Sequence, residues 1–234
     1  MNVERDPVVS VIIPVFNEEE AIGDTLQRTL QLSDRLNLEV IVVDDGSTDR
    51  TCEIVRGFKK ITLVSHQNNQ GKGKALVTGI LRSRGRIVVI QDADLEYSPE
   101  EIPKLVEPIL RNGADAVFGS RFLGKIDGMS HSHWFGNRIL SIAASLLYGV
   151  SISDVMTGHK AFLKKSLRTL KLNENGFEVE VELTAKLLRN GWKLAEVPTS
   201  YSYRRKGLSK IGYLDGLRCL AKLVVFRIGS VTTS

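Results

Sequence analysis

A short apolar run that ends abruptly in acid restricts the fold of this chain more than any other stretch. Residues 87–90 are Ile-Val-Val-Ile, and such an unbroken β-branched run predicts a strand buried on both faces. Asp92, Asp94 and Glu96 follow at every second position, so an extended backbone would direct their carboxylates to one side. The stretch therefore predicts a buried sheet strand with an acidic cluster at its carboxyl end.

The acidic cluster has two interpretations. Carboxylate oxygens are the ligands that Mg²⁺ and Mn²⁺ prefer, and open α/β sheets bind ligands beyond the carboxyl ends of their strands. A divalent ion at this position would be well placed to hold a diphosphate. A solvated acidic turn explains an isolated Asp-x-Asp equally well, so the choice depends on the rest of the chain.

Further apolar stretches predict the other strands of the first half, at residues 8–15, 38–43, 61–65 and 114–120. Helical patterns separate them, and this alternation predicts a mostly parallel α/β sheet covered on both faces. Asp44, Asp45 and Gly46 follow the second stretch directly. They fit a plain turn, or a nucleotide pocket in which a carboxylate bonds a base or ribose. Acid at the ends of two strands of one sheet favours a shared site.

Capping residues predict where the helices of the first half begin. Asn17 is expected to cap the first helix, and Ser47 is expected to cap the second. Residues 71–74, Gly-Lys-Gly-Lys, precede a helix predicted over residues 75–82. Lys72 at this position could neutralise a phosphate at the helix N-terminus, and a plain surface loop is an equally good interpretation.

The second half of the chain has weaker patterns. Residues 124–134 predict a loop, and an apolar helix that carries Arg138 near its start is predicted over residues 137–147. Residues 177–182 alternate apolar residues with glutamate, which fits a strand or the start of a helix. Periodicity leaves open whether one of these acids points into the site. Residues 193–197 predict a short strand.

Two stretches near the end of the sequence contain basic residues, and each has both a structural and a functional interpretation. Residues 204–210 contain four cations together with glycine and serine, which fits a phosphate-binding loop or a solvated loop. Residues 214–228 place apolar side chains at helical spacing, flanked by Arg218 and Lys222. This helix fits packing on the core and contact with an anionic membrane equally well.

Composition excludes several classes of protein. The 234 residues are 42% hydrophobic and 25% charged, which is ordinary for a globular chain. Two cysteines do not suggest a disulfide scaffold, and neither a signal peptide nor an apolar run of membrane-spanning length is evident. The net charge of +5 favours anionic partners. A nucleic-acid-binding module is disfavoured, because acid occupies the expected site and basic and aromatic residues are not interleaved on one sheet face.

Five motifs together resemble the family 2 inverting glycosyltransferases. The motifs are residues 11–19, 42–47, 71–73, 91–96 and 119–121. Two later stretches, residues 158–162 and 204–210, point within that family to the branch that acts on polyprenyl or dolichyl phosphates. The resemblance covers nearly the whole chain and implies a GT-A fold, an α/β nucleotide-binding half followed by an acceptor half. It implies one catalytic domain over residues 1–234, with the nucleotide half at about 1–121, the acceptor half at about 122–212 and an amphipathic helix at about 213–228.

The resemblance also implies roles for individual residues. The nucleotide-binding set is Pro14, Phe16, Glu18, Asp44, Asp45, Gly46, Lys72 and Asp92. The metal ligands would be Asp92, Asp94 and Glu96, although the family often has glutamine at the third position. The acceptor phosphate would be held by Arg121, Arg138, Arg204 and Lys210. Asp94 and Arg121 are the residues expected to be catalytic.

The substrates implied by the resemblance are a nucleotide-diphosphate sugar, GDP-mannose or UDP-glucose, and a polyprenyl phosphate, with Mg²⁺ or Mn²⁺ as cofactor. Dolichyl-phosphate mannosyl transfer is the expected reaction, and a hydroxyl acceptor in glycolipid or polysaccharide synthesis is the alternative. Many relatives carry C-terminal transmembrane helices. This chain is expected instead to lie peripherally at the cytoplasmic face of the membrane, through its last helix, its basic loop or an anchoring partner. Nucleic acid is not expected as a partner.

Overall fold

A computed structural model describes residues 8–203 and 212–229. Nine strands lie in these ranges: β1 (Val9–Val15), β2 (Leu38–Asp44), β3 (Ile61–Ser65), β4 (Ile87–Ile90), β5 (Ala116–Ser120), β6 (Ile126–Asp127), β7 (Lys160–Leu163), β8 (Leu194–Pro198) and β9 (Tyr201–Ser202). The same ranges contain eight α-helices: α1 (Ile22–Gln31), α2 (Thr51–Arg56), α3 (Lys72–Arg82), α4 (Ile102–Asn112), α5 (His131–Tyr148), α6 (Lys164–Leu167), α7 (Val179–Arg189) and α8 (Tyr213–Ile228).

Seven of these strands form one sheet in the order β3-β2-β1-β4-β7-β5-β8. All neighbours run parallel except β7, which lies antiparallel between β4 and β5. The predicted, mostly parallel α/β sheet is therefore confirmed. Because β7 runs against its neighbours, its first residue, Lys160, pairs with Ile90 at the carboxyl end of β4. The residues just before β7 are thereby placed beside the acidic stretch.

The apolar strands are buried because helices cover both faces of the sheet. Along β1, Val11 and Ile13 belong to the core beneath α1 and α4, whereas Ile12 belongs to the core beneath α3 and α7. This alternation is the one expected for consecutive residues of a strand. A third core joins α5, α7 and α8, and includes Leu140 and Leu223.

Several predicted helix starts are wrong, because tertiary hydrogen bonds use the capping groups. Asn17 has a φ of 52° and accepts a hydrogen bond from the Thr48 N–H, while α1 begins only at Ile22. Ser47 accepts from the Asn17 N–H instead of capping α2. These reciprocal bonds join the loops that follow β1 and β2, and both loops border the carboxyl end of the sheet.

Other boundaries also differ from the prediction. α3 begins at Lys72, so this lysine lies in the first turn of the helix and not in a preceding loop. α5 begins at His131, inside the predicted loop, because the Ser130 hydroxyl accepts from the His133 N–H and caps it. For residues 177–182 the prediction left a strand or the start of a helix open, and the structure has the helix, since α7 begins at Val179. Within the described ranges, no helix is both long and apolar enough to cross a bilayer.

Candidate active site

A cavity of about 290 Å³ opens at the carboxyl ends of β1, β2 and β4. Its wall includes most of the residues predicted to bind the nucleotide or a metal: Pro14, Phe16, Glu18, Asp45, Lys72, Asp92, Asp94 and Glu96. Arg121, predicted to be catalytic and to hold the acceptor phosphate, also lines it. Asp44, Gly46 and Arg138 are not in its wall. The remaining predicted acceptor residues, Arg204 and Lys210, lie outside the described residues.

Asp45 lines the cavity, whereas Asp44 and Gly46 lie outside its wall and shape the backbone beside it. The Asp44 carboxylate accepts from the Ser47 N–H at 3.2 Å, and the Asp45 carboxylate accepts from the Gly71 N–H at 2.7 Å. Asp45 also lies 2.7 Å from Nδ1 of His66. Gly46 has a φ of +77°, and a Cβ atom there would come within 2.6 Å of the neighbouring backbone. These contacts fix the loop that leads into α3.

The acidic stretch leaves β4 as a turn and not as extended backbone, so that premise of the prediction is wrong. Leu95 has a φ of 63°, and the Asp94 carboxylate accepts from the Glu96 N–H at 3.1 Å. The turn nevertheless places the three carboxylates of Asp92, Asp94 and Glu96 on the wall of one cavity. Asp92, Asp94 and Glu96 thus share one cavity wall although the extended backbone that the prediction assumed is absent, and their role as metal ligands stays a prediction.

Gly158 and Glu180 line the cavity and were missing from the predicted site. A Cβ atom on Gly158 would lie 1.9 Å from Oδ2 of Asp92, so only glycine leaves room for this carboxylate. Glu180 is 2% exposed, and its carboxylate lies 3.0 Å from Nζ of Lys72. The alternating acids of residues 177–182 contained the signal for Glu180, but periodicity could not select it.

Ion pairs determine the charge states of Lys72 and Glu180, which line the cavity. Nζ of Lys72 lies 2.8 Å from Oδ1 of Asp92. Burial opposes the charge on Lys72, but Asp92 and Glu180 outweigh it and raise the pKa of the lysine. Burial would likewise raise the pKa of Glu180, but Lys160 and Lys72 hold that pKa below its ordinary value. Both groups are therefore charged at neutral pH.

Arg121 joins this cavity to a second one of about 350 Å³. The second cavity is lined by Arg121, Phe122, Gly124, Ile126, Trp134 and Arg138. Asp154 receives two hydrogen bonds of 2.7 Å from the Arg121 guanidinium, which fixes its position. The Arg138 guanidinium lies 5.1 Å from the centroid of the Phe122 ring. Two predicted phosphate-binding arginines thus meet at one cavity beside the first.

The comparisons with known proteins decide the family. A profile described as Glycosyl transferase family 2 matches residues 10–171. The chain belongs to this family. The resemblance predicted from the motifs is therefore confirmed.

Relatives within family 2 support a lipid-phosphate branch. The chain is 33% identical over 87% of its length to the dolichol-phosphate mannosyltransferase of Pyrococcus furiosus, and the match spans 59% of that protein. It is 32% identical over 93% of its length to the dolichyl-phosphate hexose transferase of Haloferax volcanii, of which the match spans 92%.

A solved relative confirms the GT-A fold. The chain is similar to the glucosyl-3-phosphoglycerate synthase of Mycobacterium tuberculosis in complex with Mn²⁺ and UDP-glucose. The TM-score is 0.74 at 26% identity, with 95% of this chain and 79% of that chain covered. Metal and nucleotide sugar are thus bound together in a relative of the same fold.

The carboxylates of this family 2 chain fit a divalent metal only in part. Within residues 8–203 and 212–229, no three His, Cys, Asp or Glu side chains are grouped closely enough to hold a metal ion. Mg²⁺ often takes only one or two protein carboxylates and completes its shell with substrate phosphates and water. Asp92 and Asp94 offer hard oxygen ligands on one wall, which suits that mode of binding.

His159 makes the stability of the site depend on pH. Burial lowers the pKa of His159 to about 4, against opposing effects of Glu101 and Asp92. In the unfolded chain its pKa is about 6.5. The unfolded state therefore binds the extra proton in this window, and stability is lost as the pH falls from about 6.5 to about 4, by roughly 3 kcal/mol in total.

Urea denaturation at about pH 7 and about pH 4.5 measures this loss of stability. These two pH values span most of the range over which His159 takes up its proton in the unfolded chain but not in the folded protein. The substitution His159→Gln removes the titrating group and should flatten the difference between the two pH values. Equal pH dependence in the variant and the natural protein would show that His159 is not responsible.

Proposed function

We propose that this family 2 glycosyltransferase transfers a hexose, with inversion, from a nucleotide-diphosphate sugar to a polyprenyl phosphate. The observation that carries the proposal is the position of Arg121 between the two cavities. The first cavity has carboxylates for a metal–diphosphate group, and the second has two arginines for a phosphate. The donor is GDP-mannose or UDP-glucose, and Mg²⁺ or Mn²⁺ is the cofactor.

A phosphate acceptor suits this charge arrangement. A phosphomonoester has its second pKa near 6, so it is largely dianionic at neutral pH and needs no general base. It does need cations, because it must approach a second phosphate-bearing substrate. Arg138 supplies this charge in the second cavity, next to the first, which we name the donor cavity. The charge of Arg121 is balanced by Asp154, but its guanidinium keeps further N–H groups that can donate to a phosphate. A hydroxyl acceptor would instead require a carboxylate base.

The residues of the chain have separate roles in this proposal. Asp92 and Asp94 would hold the divalent ion, with Glu96 beside them. Such an ion, when bound, stabilises the negative charge that develops on the leaving diphosphate. Pro14, Phe16 and Glu18 would orient the nucleoside, and Arg121 would align the acceptor phosphate with the sugar.

Two neighbouring helices, α5 and α8, leave apolar side chains exposed, and we name this set of side chains the apolar helix surface. It comprises Trp134, Phe135, Ile139, Ile142 and Leu146 of α5, and Leu214, Leu217, Val224, Val225 and Ile228 of α8. One of them, Trp134, lines the second cavity. Arg138, which lines the second cavity, is the only Asp, Glu, Lys or Arg in α5. This surface would rest peripherally on the cytoplasmic face of the membrane and present the lipid phosphate to the arginines. Basic residues outside the described ranges, or an anchoring partner, would add to this contact.

A transfer assay with matched acceptors tests the function. The purified chain is incubated with GDP-mannose or UDP-glucose, Mn²⁺, and either a polyprenyl phosphate or the corresponding polyprenol. Product is expected with the phosphate and not with the alcohol, and EDTA should abolish it. Efficient transfer to hydroxyl acceptors, with none to the lipid phosphate, would contradict the proposal.

Arg138→Ala is expected to weaken the use of the acceptor. A hydrogen bond to a charged group contributes roughly 1.5–3 kcal/mol, so the KM for polyprenyl phosphate should rise about 10- to 150-fold. Donor affinity should not change, because Arg138 is outside the donor cavity. Arg56→Ala, at an exposed position on α2, is the control and should change neither. A loss of donor affinity with an unchanged acceptor KM would refute the assigned role.

The apolar helix surface predicts binding to vesicles. Leu146 and Ile228 are each 79% exposed, and replacing both by glutamate should abolish co-sedimentation with anionic vesicles. Leu81→Glu is the matched control, because Leu81 is 74% exposed but lies on α3. It should bind vesicles as the natural protein does. Membrane contact through this surface is excluded if the double variant binds as well as the control.

A further inference from the structure

Four side chains with alternating charge run from the acidic turn into the core. Asp92 contacts Lys72, Lys72 contacts Glu180, and Glu180 contacts Lys160. The first two Nζ···O distances are 2.8 and 3.0 Å. Exposure decreases along the row, from 20% for the Asp92 side chain to 0% for Lys160. Two carboxylates therefore share two ammonium groups at the wall of the donor cavity.

Both oxygens of Asp92 are already in contact with the protein. Oδ1 carries the ammonium group of Lys72. Oδ2 is packed against Gly158 so closely that a Cβ atom there would meet it at 1.9 Å. A cation that binds Asp92 through Oδ1 must therefore approach the Lys72 ammonium, and two positive charges at this distance repel each other strongly.

We propose that Lys72 is the resident counter-ion of Asp92, which a divalent metal must displace, and that Glu180 is a positioning residue that retains the displaced ammonium at the site. This inference rests on the metal dependence of the proposed function. Before the metal binds, Lys72 contacts Asp92 and Glu180 together. Afterwards it would keep Glu180 and exchange Asp92 for the donor diphosphate.

Glu180 has the contacts that this role requires. Its Oε2 is bonded to the ammonium of Lys160. Lys160 is itself fixed, since it donates to the Val155 carbonyl at 3.1 Å and lies 4.7 Å from the centroid of the Phe118 ring. The other oxygen, Oε1, is buried and accepts no well-aligned hydrogen bond, although Nζ of Lys72 is 3.0 Å away. That oxygen retains full capacity to accept from the ammonium.

Manganese binding in the absence of nucleotide tests the exchange. The free Mn²⁺ signal in electron paramagnetic resonance gives the affinity of the full chain without any assay of activity. Lys72→Met removes the competing cation and should bind Mn²⁺ about tenfold more tightly than the natural protein. Lys74→Met makes the same change two residues further along α3, at an exposed position outside the cavity wall, and should not alter the affinity.

The affinity for nucleoside diphosphate tests the role of Lys72 after the metal has bound, separately from its role before. With Mn²⁺ present, Lys72→Met should bind the diphosphate more weakly than the natural protein, because the lysine is then needed as its partner. Glu180→Gln should weaken Mn²⁺ binding, because Lys72 has lost its alternative carboxylate. If Glu180→Gln does not fold, the comparison of Lys72→Met with Lys74→Met is decisive by itself.

The inference is overturned if Lys72→Met binds Mn²⁺ no more tightly than the natural protein. If the natural protein then still binds Mn²⁺ in the presence of nucleoside diphosphate, only the exchange is wrong and the proposed function stands. If neither protein binds Mn²⁺ with or without the nucleotide, the metal dependence fails and the exchange fails with it.

Discussion

Replacing Asp94 by asparagine is expected to reduce sugar transfer by about a thousandfold or more, because the variant loses a charge that would hold the divalent ion. The fold should be preserved. Asp94 lines the cavity, and its Oδ1 accepts from the Glu96 N–H at 3.1 Å, a bond that the asparagine Oδ1 can also accept. The substitution therefore removes the negative charge while the turn after β4 is retained.

Initial rates at saturating donor and acceptor, with Mn²⁺ or Mg²⁺, measure this effect. Asp24→Asn is the control, since Asp24 lies on α1 with its side chain 55% exposed, and it should retain full activity. Unfolding by urea should give similar free energies for Asp94→Asn and the natural protein. The role of Asp94 would be refuted by near-normal rates in the variant, or by natural activity that persists in EDTA.

The sheet could be predicted from sequence because its signals are local. The run at β4 has only apolar residues, and burial on both faces by helices requires that pattern. The alternation of strands and helices also predicted that these strands run parallel, as β1 to β4 do. The insertion of β7 could not be predicted, because Lys160–Leu163 is a short apolar segment whose partners, β4 and β5, lie far away in the sequence.

The site was predictable where its residues follow strands directly, and not where it depends on long-range contacts. Asp92 and Asp94 come after β4 and face the cavity as expected. Gly158 must be glycine only because the Asp92 carboxylate packs against it. Asn17 has a sequence typical of a helix cap, but its side chain accepts a hydrogen bond from the Thr48 N–H and does not cap α1. Such contacts have no local signature.

For α8 the sequence left two interpretations, and each applies to a different side of the helix. Cys219 and Leu223 are buried against α5 and α7, so the core-packing interpretation is confirmed for these residues. Leu214 and Leu217 are exposed and belong to the apolar helix surface. Contact of that surface with a membrane stays a prediction. Apolar periodicity alone could not separate the two faces, because both carry leucine.

The buried charges should also contribute strongly to the stability of the protein. Glu180→Gln leaves the fully buried ammonium of Lys160 without its carboxylate, so the free energy of unfolding should fall by about 3–5 kcal/mol. Lys160→Met should cost less, because Glu180 keeps Lys72 as a second cation. This asymmetry follows from the contacts, since Glu180 has two cationic partners and Lys160 pairs with one carboxylate.

A double-mutant cycle measured by urea denaturation tests this ordering. The double variant, with Lys160→Met and Glu180→Gln, should be more stable than Glu180→Gln alone, because no unpaired ammonium is then buried. Glu107→Gln makes the same substitution in an exposed pair with Arg111 and should change stability by less than about 1 kcal/mol. If Glu180→Gln is no more destabilising than this control, the buried row does not hold the protein together. If instead the double variant is the least stable of all, the methionine fails to fill the space left by Lys160, and packing rather than charge determines the cost.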